Sequence, residues 1–360
     1  MAGLRRALLA MGDAAAGQVL RPLADKGLAH DHVQLGDSPR LARIPKQSQM
    51  GLAPEPNLAY QRACFERAAA GGHTPRLWGV LPPGTDLPWG ALIVEWIQGR
   101  PARLPDDLSA MARAFAALHA LPLPPAPAQA PLLAPADPLA DLVEDIAGQW
   151  RLGRGVVLAP GTREAIESGL ARLQRALQQG ARPPCCLIAF DGHPGNFIVE
   201  PGGRAVLVDL EKCRYSYPAL DLAHATLYTS TTWDVDTHAQ LDIGAIVGFH
   251  RAWADAVGPL AAQSWPSLVP LREAMWLWSL TWCAKWLAVS RSEAKAVPVG
   301  EDWSHENSDA HLIAHVSERV HHYLDANTVR MVQREFAELA NAFARMAPEH
   351  ARQTANTTSA

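Results

Sequence analysis

Short alternating runs of apolar and polar residues mark the first hundred positions of the chain. Residues 33–46, VQLGDSPRLARIPK, predict two strands joined by a Gly-Asp-Ser turn. Residues 76–80 and 91–99 predict two more strands across a turn-rich stretch. Between the two pairs, residues 57–71 predict a helix capped by Asn57. This region therefore predicts a small antiparallel sheet with one helix.

From about residue 100 onward, apolar residues recur at helical spacing instead. Residues 105–121, PDDLSAMARAFAALHAL, carry aspartates in the first turn, where the helix dipole favours negative charge. The proline-rich residues 122–138 predict an irregular connector. Further helices are predicted near residues 139–150, 161–179, 217–228, 236–257, 266–291, 306–325 and 327–346. The two regions together predict an α+β protein.

One more pair of strands interrupts the helical region. Residues 197–199, FIV, and 205–210, AVLVDL, flank the turn sequence EPGGR and predict a β-hairpin. Asp191 and Asn196 precede the first strand, and Asp209 lies at the end of the second. Because hairpin strands run antiparallel, these three side chains converge. Carboxylate and amide oxygens suit Mg²⁺, so the hairpin predicts a magnesium site.

Length and composition limit the class of protein. A chain of 360 residues is long enough for two domains or for one large domain with lobes. With 48% hydrophobic and 19% charged residues, it has the balance of a soluble globular protein. A net charge of −4 does not favour nucleic acid as a partner but is compatible with a cationic ligand. No apolar run is long enough to span a bilayer, so no membrane association is expected.

The N-terminal segment and the cysteines bear on the cellular compartment. In residues 1–17, MAGLRRALLAMGDAAAG, Asp13 interrupts a short apolar stretch, which favours a helix over a signal peptide. The five cysteines are Cys64, Cys185, Cys186, Cys213 and Cys283. They include no Cys-x-x-Cys pair, so a reduced, cytoplasmic protein is expected.

The hairpin and its surroundings carry a family resemblance. The sequence DGHPGNFIV, followed by VLVDLE and YPALDLAHA, resembles the aminoglycoside phosphotransferase and choline kinase superfamily of small-molecule kinases. The resemblance follows the element order over about residues 25–290, and its motifs lie within residues 188–223. It implies a protein-kinase-like, two-lobed fold with a small β-rich N-lobe and a larger, mainly helical C-lobe. It also implies ATP, or alternatively GTP, as phosphoryl donor, Mg²⁺ as cofactor and a small-molecule hydroxyl as acceptor.

This resemblance assigns roles to five residues. Asp191 would accept or orient the proton of the attacking hydroxyl. Asn196, five positions later, and Asp209, thirteen positions beyond Asn196, would hold magnesium against the phosphates. Asp221 would brace the catalytic loop, and His193 would support it. Such a set suits phosphoryl transfer, because this reaction depends mainly on in-line positioning and charge neutralisation.

The family also places a cation on the third strand of the N-lobe. Arg43 is expected to contact the ATP phosphates, and Lys46 is the second candidate, although a guanidinium and an ammonium would bind differently. The following helix should supply a partner for the cation. Counting back from the sequence TPRL leads to Gln61, while Glu66 lies more than one turn further along. With Gln61 in that place, a neutral hydrogen bond would replace the usual ion pair.

Nucleotide contacts are also expected at the hinge between the lobes. The segment ALIVEWIQG resembles this hinge, where backbone groups from Glu95 to Ile97 would meet the purine. The loop that covers the phosphates is poorly represented, because Gly27 is the only glycine in DKGLAHDHV. The expected parts of the chain are a nucleotide-binding N-lobe over residues 1–99, a C-lobe with the catalytic loop and hairpin over residues 100–347, and a disordered tail over residues 348–360.

The catalytic loop departs from the family pattern at two positions. Ala189 stands where the family usually has histidine, and Phe190 stands where it has glycine. These departures, with Gln61 and the poor phosphate loop, favour a non-catalytic nucleotide-binding pseudokinase as an alternative. The intact set of Asp191, Asn196 and Asp209 favours an active kinase.

Aromatic and acidic residues suggest what the acceptor could be. Trp278, Trp282 and Trp286 recur every four residues, and Trp276 lies off that row. Core packing is the simplest interpretation, and an acceptor site that cages a cation is the alternative. Acidic residues are frequent between residues 295 and 319. They form either an ordinary solvated surface or an acidic surface that attracts a polyamine sugar. The family resemblance implies an aminoglycoside or related amino sugar as one acceptor hypothesis, and a choline- or ethanolamine-type amino alcohol as another.

Two histidine patterns have other interpretations. Asp191 and His193 have the spacing of a metal-hydrolase Asp-x-His pair, but no further ligand cluster lies nearby in the sequence. His311 and His315 lie one helical turn apart, and we interpret them as incidental residues of a surface helix.

Overall fold

The computed structural model describes residues 1–23, 29–179, 182–290 and 310–346. The strands are β1 (Leu20–Pro22), β2 (His30–Leu35), β3 (Arg40–Pro45), β4 (Leu77–Leu81), β5 (Ala91–Glu95), β6 (Arg100–Pro101), β7 (Cys186–Ile188), β8 (Phe197–Val199), β9 (Ala205–Leu207) and β10 (Arg214–Ser216). The helices are α1 (Ala2–Ala10), α2 (Pro54–Ala68), α3 (Leu108–His119), α4 (Pro138–Gly153), α5 (Pro160–Ala176), α6 (Pro218–Thr226), α7 (Tyr228–Thr231), α8 (Ile243–Val257), α9 (Leu260–Ser264), α10 (Leu268–Ser290), α11 (Ala310–Tyr323) and α12 (Ala326–Met346). The predicted α+β class is confirmed. The predicted tail and Gly27 lie outside the described residues.

A five-stranded antiparallel sheet dominates the N-terminal region, in the order β1-β2-β3-β5-β4. The predicted hairpin of β2 and β3 is present, and Gly36 in its turn has a φ of 62°, which favours glycine. Strand β1 was not predicted from the sequence. Strand β3 lies at the centre, where Arg43 is opposite His32 on one side and Leu92 on the other. A central strand is held on both edges, so the position of Arg43 is fixed by the sheet.

The N-terminal segment forms the helix that the sequence predicts. Leu4 and Leu8, one turn apart on α1, are buried together with Leu35, Leu81 and Ile93 of the sheet. An amphipathic helix with this spacing covers one face of a sheet. Within the described residues, no helix is long and apolar enough to cross a membrane.

Two helices begin at positions that differ from the prediction. Helix α2 starts at Pro54 and not at Asn57, because proline fits the first turn, where its missing N–H needs no partner. Asn57 is buried inside the helix. Helix α8 starts after Asp242, whose carboxylate accepts a hydrogen bond of 2.7 Å from the Ala245 N–H. An effective cap at Asp242 therefore excludes the preceding residues, which were predicted to be helical.

Helix α10 is central to the helical region and packs against α4, α5, α6 and α11, while α3 packs against α8. Two small sheets are inserted among these helices. Strand β10 pairs with β7, and β8 pairs with β6 on one side and with β9 on the other. The loops at the ends of these short strands carry the predicted catalytic residues. All five cysteines lie in described residues and form no disulfide, as expected.

Candidate active site

A cleft of about 600 Å³ is lined by residues from both the five-stranded sheet and the helical region. The sheet side supplies His30, Leu41, Arg43 and the hinge residues Val94, Glu95, Trp96 and Ile97. The helical side supplies Asp191, His193, Asn196, Asp209, Lys212, His224, Trp278 and Trp282. Most of the site residues expected from the sequence are thus brought to one cleft.

The hairpin brings Asp191, Asn196 and Asp209 together as its geometry predicts. Phe197 of β8 is paired with Leu207 of β9, so the start of the first strand lies beside the end of the second. The side-chain amide of Asn196 donates a hydrogen bond of 2.7 Å to the carbonyl of Asp191. This bond fixes Asn196 against the catalytic loop, while its carbonyl oxygen is left for another ligand.

The Asp191 carboxylate is held in its ionised form by a cation. The Nζ atom of Lys212 lies 2.8 Å from its Oδ2 atom, and the ring of His224 lies 3.8 Å from its Oδ1 atom. Burial by itself raises the pKa of Asp191, but Lys212, His193 and His224 together outweigh it, with Lys212 the strongest of the three, and hold the pKa well below its usual range. Burial lowers the pKa of His224 to about 4, so this ring is neutral near pH 7.

Asp221 is completely buried and accepts three hydrogen bonds. The backbone N–H groups of Ala189 and Phe190 each donate to it at 2.7 Å, and the Nε2 atom of His119 donates at 3.1 Å. The Trp253 indole donates in turn to Nδ1 of His119 at 3.1 Å, which fixes the tautomer. The loop is therefore organised at its backbone, without a histidine side chain at position 189. This geometry fits the bracing role expected of Asp221.

His193 fits its expected supporting role in a similar way. Its Nδ1 atom accepts a hydrogen bond of 3.2 Å from the Gly195 N–H and so caps the turn before Asn196. Its ring also lies edge-to-face with His224, at 6.1 Å between centroids. Within the described residues there is no group of three His, Cys, Asp or Glu side chains that could hold a metal ion, so the hydrolase interpretation gains no support.

Phe190 adopts a left-handed backbone conformation, with a φ of 64°. Glycine adopts this conformation freely, whereas a residue with a Cβ atom is destabilised in it by about 1 kcal/mol. The buried phenyl ring packs 3.7 Å below the Arg214 guanidinium and edge-to-face with Trp278. Its carbonyl also accepts a hydrogen bond of 3.2 Å from His224. Ring packing thus offsets the strain of placing phenylalanine where the family usually has glycine.

We expect Phe190→Ala to lower the free energy of unfolding by about 3 kcal/mol, because it removes the ring and keeps the strained backbone. Phe190→Gly should be about 1 kcal/mol more stable than Phe190→Ala, because it also relieves the strain. Phe65, buried in the interior of α2, is the matched control. There the order should reverse, with alanine about 1 kcal/mol better than glycine. Urea denaturation of the four variants measures both differences. If the alanine and glycine variants had the same order of stability at both positions, the backbone strain at Phe190 would be refuted.

Arg43 forms an ion pair with Asp209 and donates a hydrogen bond of 3.2 Å to Nδ1 of His30. The other ring nitrogen of His30 donates at 3.0 Å to the side-chain oxygen of Gln61, whose amide donates at 3.3 Å to Glu211. Burial lowers the pKa of His30 and raises that of Glu211, which favours the neutral form of each. Gln61 therefore belongs to a buried network of neutral groups, and the counter-ion of Arg43 is Asp209.

The two alternative candidates are not among the described residues that line the cleft. Glu66 is about half exposed and pairs with Arg62 at 2.8 Å on the surface of α2. Lys46 lies 3.7 Å from Asp31 and does not line the cleft. The structure thus places Arg43 in the cleft and links Gln61 to it through His30, whereas Lys46 and Glu66 do not line the cleft.

The hinge residues Glu95 and Ile97 line the cleft, as expected. The Glu95 backbone N–H donates to the carbonyl of Arg76 at 2.8 Å, and its side chain accepts a hydrogen bond of 3.1 Å from the Arg76 N–H. The backbone and the side chain of Glu95 are thereby both bonded to Arg76, which precedes strand β4. The roles of these residues in nucleotide binding stay predictions.

The tryptophans of α10 divide between core and cleft. Trp276 and Trp286 are buried in the core, whereas Trp278 and Trp282 line the cleft. Trp233 packs edge-to-face on Trp282, at 5.8 Å between ring centroids. Core packing is therefore confirmed for Trp276 and Trp286, and an acceptor site at Trp278 and Trp282 stays a prediction.

Several cleft residues were not found from the sequence, among them Lys212, His224, Asp234 and His315. The interpretation of His315 as an incidental surface residue was wrong, because its Nε2 atom donates a hydrogen bond of 2.7 Å to the Trp233 carbonyl. Only the packing of α11 reveals this contact. Lys212 could have been found, because it follows Asp209 by three residues at the same end of the hairpin.

Comparison with known proteins agrees with this arrangement. A family model described as the phosphotransferase enzyme family matches residues 20–257, which is more than half of the chain. The chain belongs to the phosphotransferase enzyme family. The matched range of this family member includes the catalytic loop, the hairpin and Asp221. No curated protein matches the sequence significantly.

Solved structures of other phosphotransferases share the fold. A choline/ethanolamine kinase family protein from Mesorhizobium loti is 18% identical, with a TM-score of 0.59, over 93% of this chain and 97% of its own. An aminoglycoside phosphotransferase from Alicyclobacillus acidocaldarius is 16% identical, with a TM-score of 0.53, over 90% of this chain and 92% of its own. An ADP-bound aminoglycoside phosphotransferase is 16% identical, with a TM-score of 0.50, over 87% of this chain and 94% of its own. At these identities the likeness shows the fold.

Proposed function

We propose that the protein transfers the γ-phosphoryl group of ATP to a hydroxyl group of a small molecule. The observation that carries the proposal is the convergence of Asp191, Asn196 and Asp209 at one cleft, in a member of the phosphotransferase family. The proposal assigns nucleotide binding mainly to an N-lobe over residues 1–99 and catalysis to a C-lobe over residues 100–347.

Asn196 and Asp209 fit a magnesium ion by their chemistry. Both offer hard oxygen atoms at the cleft, and two such ligands are typical for Mg²⁺, which keeps water and phosphate as its other ligands. Magnesium would neutralise charge on the ATP phosphates. Asp191, ionised and next to the same cleft, would orient the acceptor hydroxyl and take its proton.

The nucleotide would bind with its base against the hinge and its phosphates toward Arg43. The segment from Glu95 to Ile97 lines the cleft, and so do the apolar side chains of Leu41 and Phe197 on either side. ATP is the donor that we propose first, and GTP is the alternative. A similar phosphotransferase is known with ADP bound, which supports a nucleotide at this place.

The acceptor would occupy the side of the cleft formed by Trp278, Trp282, Trp233 and Asp234. Aromatic rings next to a carboxylate suit a cationic ligand. An aminoglycoside or related amino sugar is the acceptor class that we propose, and a choline- or ethanolamine-type amino alcohol is the second class. Similar structures include members named for each of these.

The test is a screen for ADP release with ATP, Mg²⁺ and a panel of aminoglycosides, other amino sugars, choline and ethanolamine. We expect at least one acceptor to raise ADP release above the rate with water alone, and Asp191→Asn to remove the increase. GTP in place of ATP tests the donor. If the protein binds ATP and Mg²⁺ but neither phosphorylates any compound of the panel nor hydrolyses ATP, the result would favour the pseudokinase instead.

A further inference from the structure

Lys212 is placed next to Asp191 by two paired strands. Strand β7 ends three residues before Asp191, and β10, with which it pairs, begins two residues after Lys212. The Lys212 side chain is 13% exposed and that of Asp191 is 23% exposed, and both line the cleft. The backbone next to Lys212 is also fixed, because the carbonyl of Cys213 accepts a hydrogen bond of 2.7 Å from the Tyr60 hydroxyl. The ammonium group therefore has a defined position beside the carboxylate.

Lys212 differs from the other lysine and arginine side chains that line the described part of the cleft. These are Arg43, which is paired with Asp209, and Arg100, which is paired with Asp107 at 2.5 and 3.1 Å. Lys212 instead contacts Asp191, the carboxylate that would face the acceptor hydroxyl. Its charge thus lies where the acceptor oxygen and the transferred phosphorus would meet.

We propose that Lys212 is a catalytic residue whose ammonium group contacts the phosphoryl group during transfer. This inference rests on the proposed function. In the reaction, the acceptor oxygen forms a bond to the γ-phosphorus while the bond from phosphorus to the bridging oxygen of ADP breaks. The acceptor proton passes to Asp191, and Lys212 stays protonated throughout. An ammonium group has three donors, so it can hold Asp191 and a phosphoryl oxygen at the same time.

A purely structural role for Lys212 predicts different kinetics. If Lys212 only balanced the charge of Asp191, its loss would affect turnover only through that carboxylate. In an Asp191→Asn background, where there is no charge to balance, loss of Lys212 would change nothing further. Contact with the phosphoryl group predicts a loss of rate in both backgrounds.

The experiment measures ATP turnover with Mg²⁺, with water as acceptor and with the best acceptor of the panel. The variants are Lys212→Met, Lys212→Arg, Asp191→Asn and the double variant Lys212→Met/Asp191→Asn. Arg175→Met, at an exposed position of α5, is the control for removal of a cation. Thermal unfolding verifies that each variant is folded, and Lys212→Gln replaces Lys212→Met if the latter is not.

We expect Lys212→Met to lower kcat about 100-fold and to change the dissociation constant of ATP by less than about threefold. The kcat of Lys212→Arg should be at least about tenfold higher than that of Lys212→Met, because arginine keeps a donor with positive charge. The double variant should be at least about tenfold slower than Asp191→Asn alone.

Two results separate the failure of this inference from that of the proposed function. If the wild type turns over ATP and Lys212→Met or Lys212→Gln is equally fast, the role of Lys212 is refuted and the proposed function stands. The same holds if the double variant equals Asp191→Asn. If the wild type turns over no ATP with water or any acceptor, the proposed function fails and the role of Lys212 fails with it.

Discussion

Asp191→Ala is expected to lower ATP-dependent turnover roughly 10³-fold, because the variant has no group to orient the acceptor hydroxyl or to take its proton. The fold should remain, because the backbone of the catalytic loop is held by Asp221 and not by Asp191. The measurement is kcat for ADP release with the best acceptor, together with circular dichroism.

Asp255→Ala is the control for this variant, because Asp255 is an exposed aspartate on α8. It should retain the wild-type rate. An Asp191→Ala enzyme with full activity would show that this residue has no part in the chemistry, and the assignment of the catalytic loop would then be wrong.

The second large effect is expected on stability, at Asp221. Asp221→Ala would leave the N–H groups of Ala189 and Phe190 buried without acceptors, and His119 without its partner. Each buried donor without a partner costs about 1–3 kcal/mol, so the total loss should be about 3–5 kcal/mol. Turnover should fall as well, because these hydrogen bonds position the residues that precede Asp191.

Asp221→Asn separates the role of charge from that of size. The amide keeps one acceptor oxygen but turns an NH₂ group toward a backbone donor, so this variant should also be destabilised, by at least about 2 kcal/mol. Asp255→Asn makes the same change on the surface and should stay within about 0.5 kcal/mol of the wild type. Urea denaturation compares the variants. Wild-type stability in Asp221→Asn would mean that the network does not hold the loop.

Local features of the site could be predicted from the sequence because they depend on short-range geometry. Asp191, Asn196 and Asp209 span nineteen positions around one hairpin, and antiparallel pairing alone brings their ends together. Counting back from the sequence TPRL also identified Gln61, which is linked to Arg43 through His30. In contrast, the start of α2 was misplaced because Pro54 determines the first turn, although Asn57 is the better capping residue by preference.

Other features depend on contacts between distant segments and could not be predicted in this way. His315 meets the Trp233 carbonyl across 82 positions of sequence, and periodicity gives no information about such packing. The same holds for the division of the tryptophans of α10, since a helix with apolar residues on every side does not show which side faces a cleft. Phe190 is a different case, because a bulky residue in a left-handed conformation contradicts local preference and its ring is stabilised by contacts with the distant residues Arg214 and Trp278.

The most direct test of the account is the thermal stability of the wild type and of Asp209→Ala, with ATP, with Mg²⁺ and with both. We expect ATP and Mg²⁺ together to raise the melting temperature of the wild type, because a ligand at 100 times its dissociation constant adds about 2.7 kcal/mol to the free energy of unfolding. EDTA should reduce this shift, and Asp209→Ala should lose its dependence on magnesium. An equal magnesium-dependent shift in Asp209→Ala would contradict the assigned metal site, and no shift with any nucleotide would contradict the account as a whole.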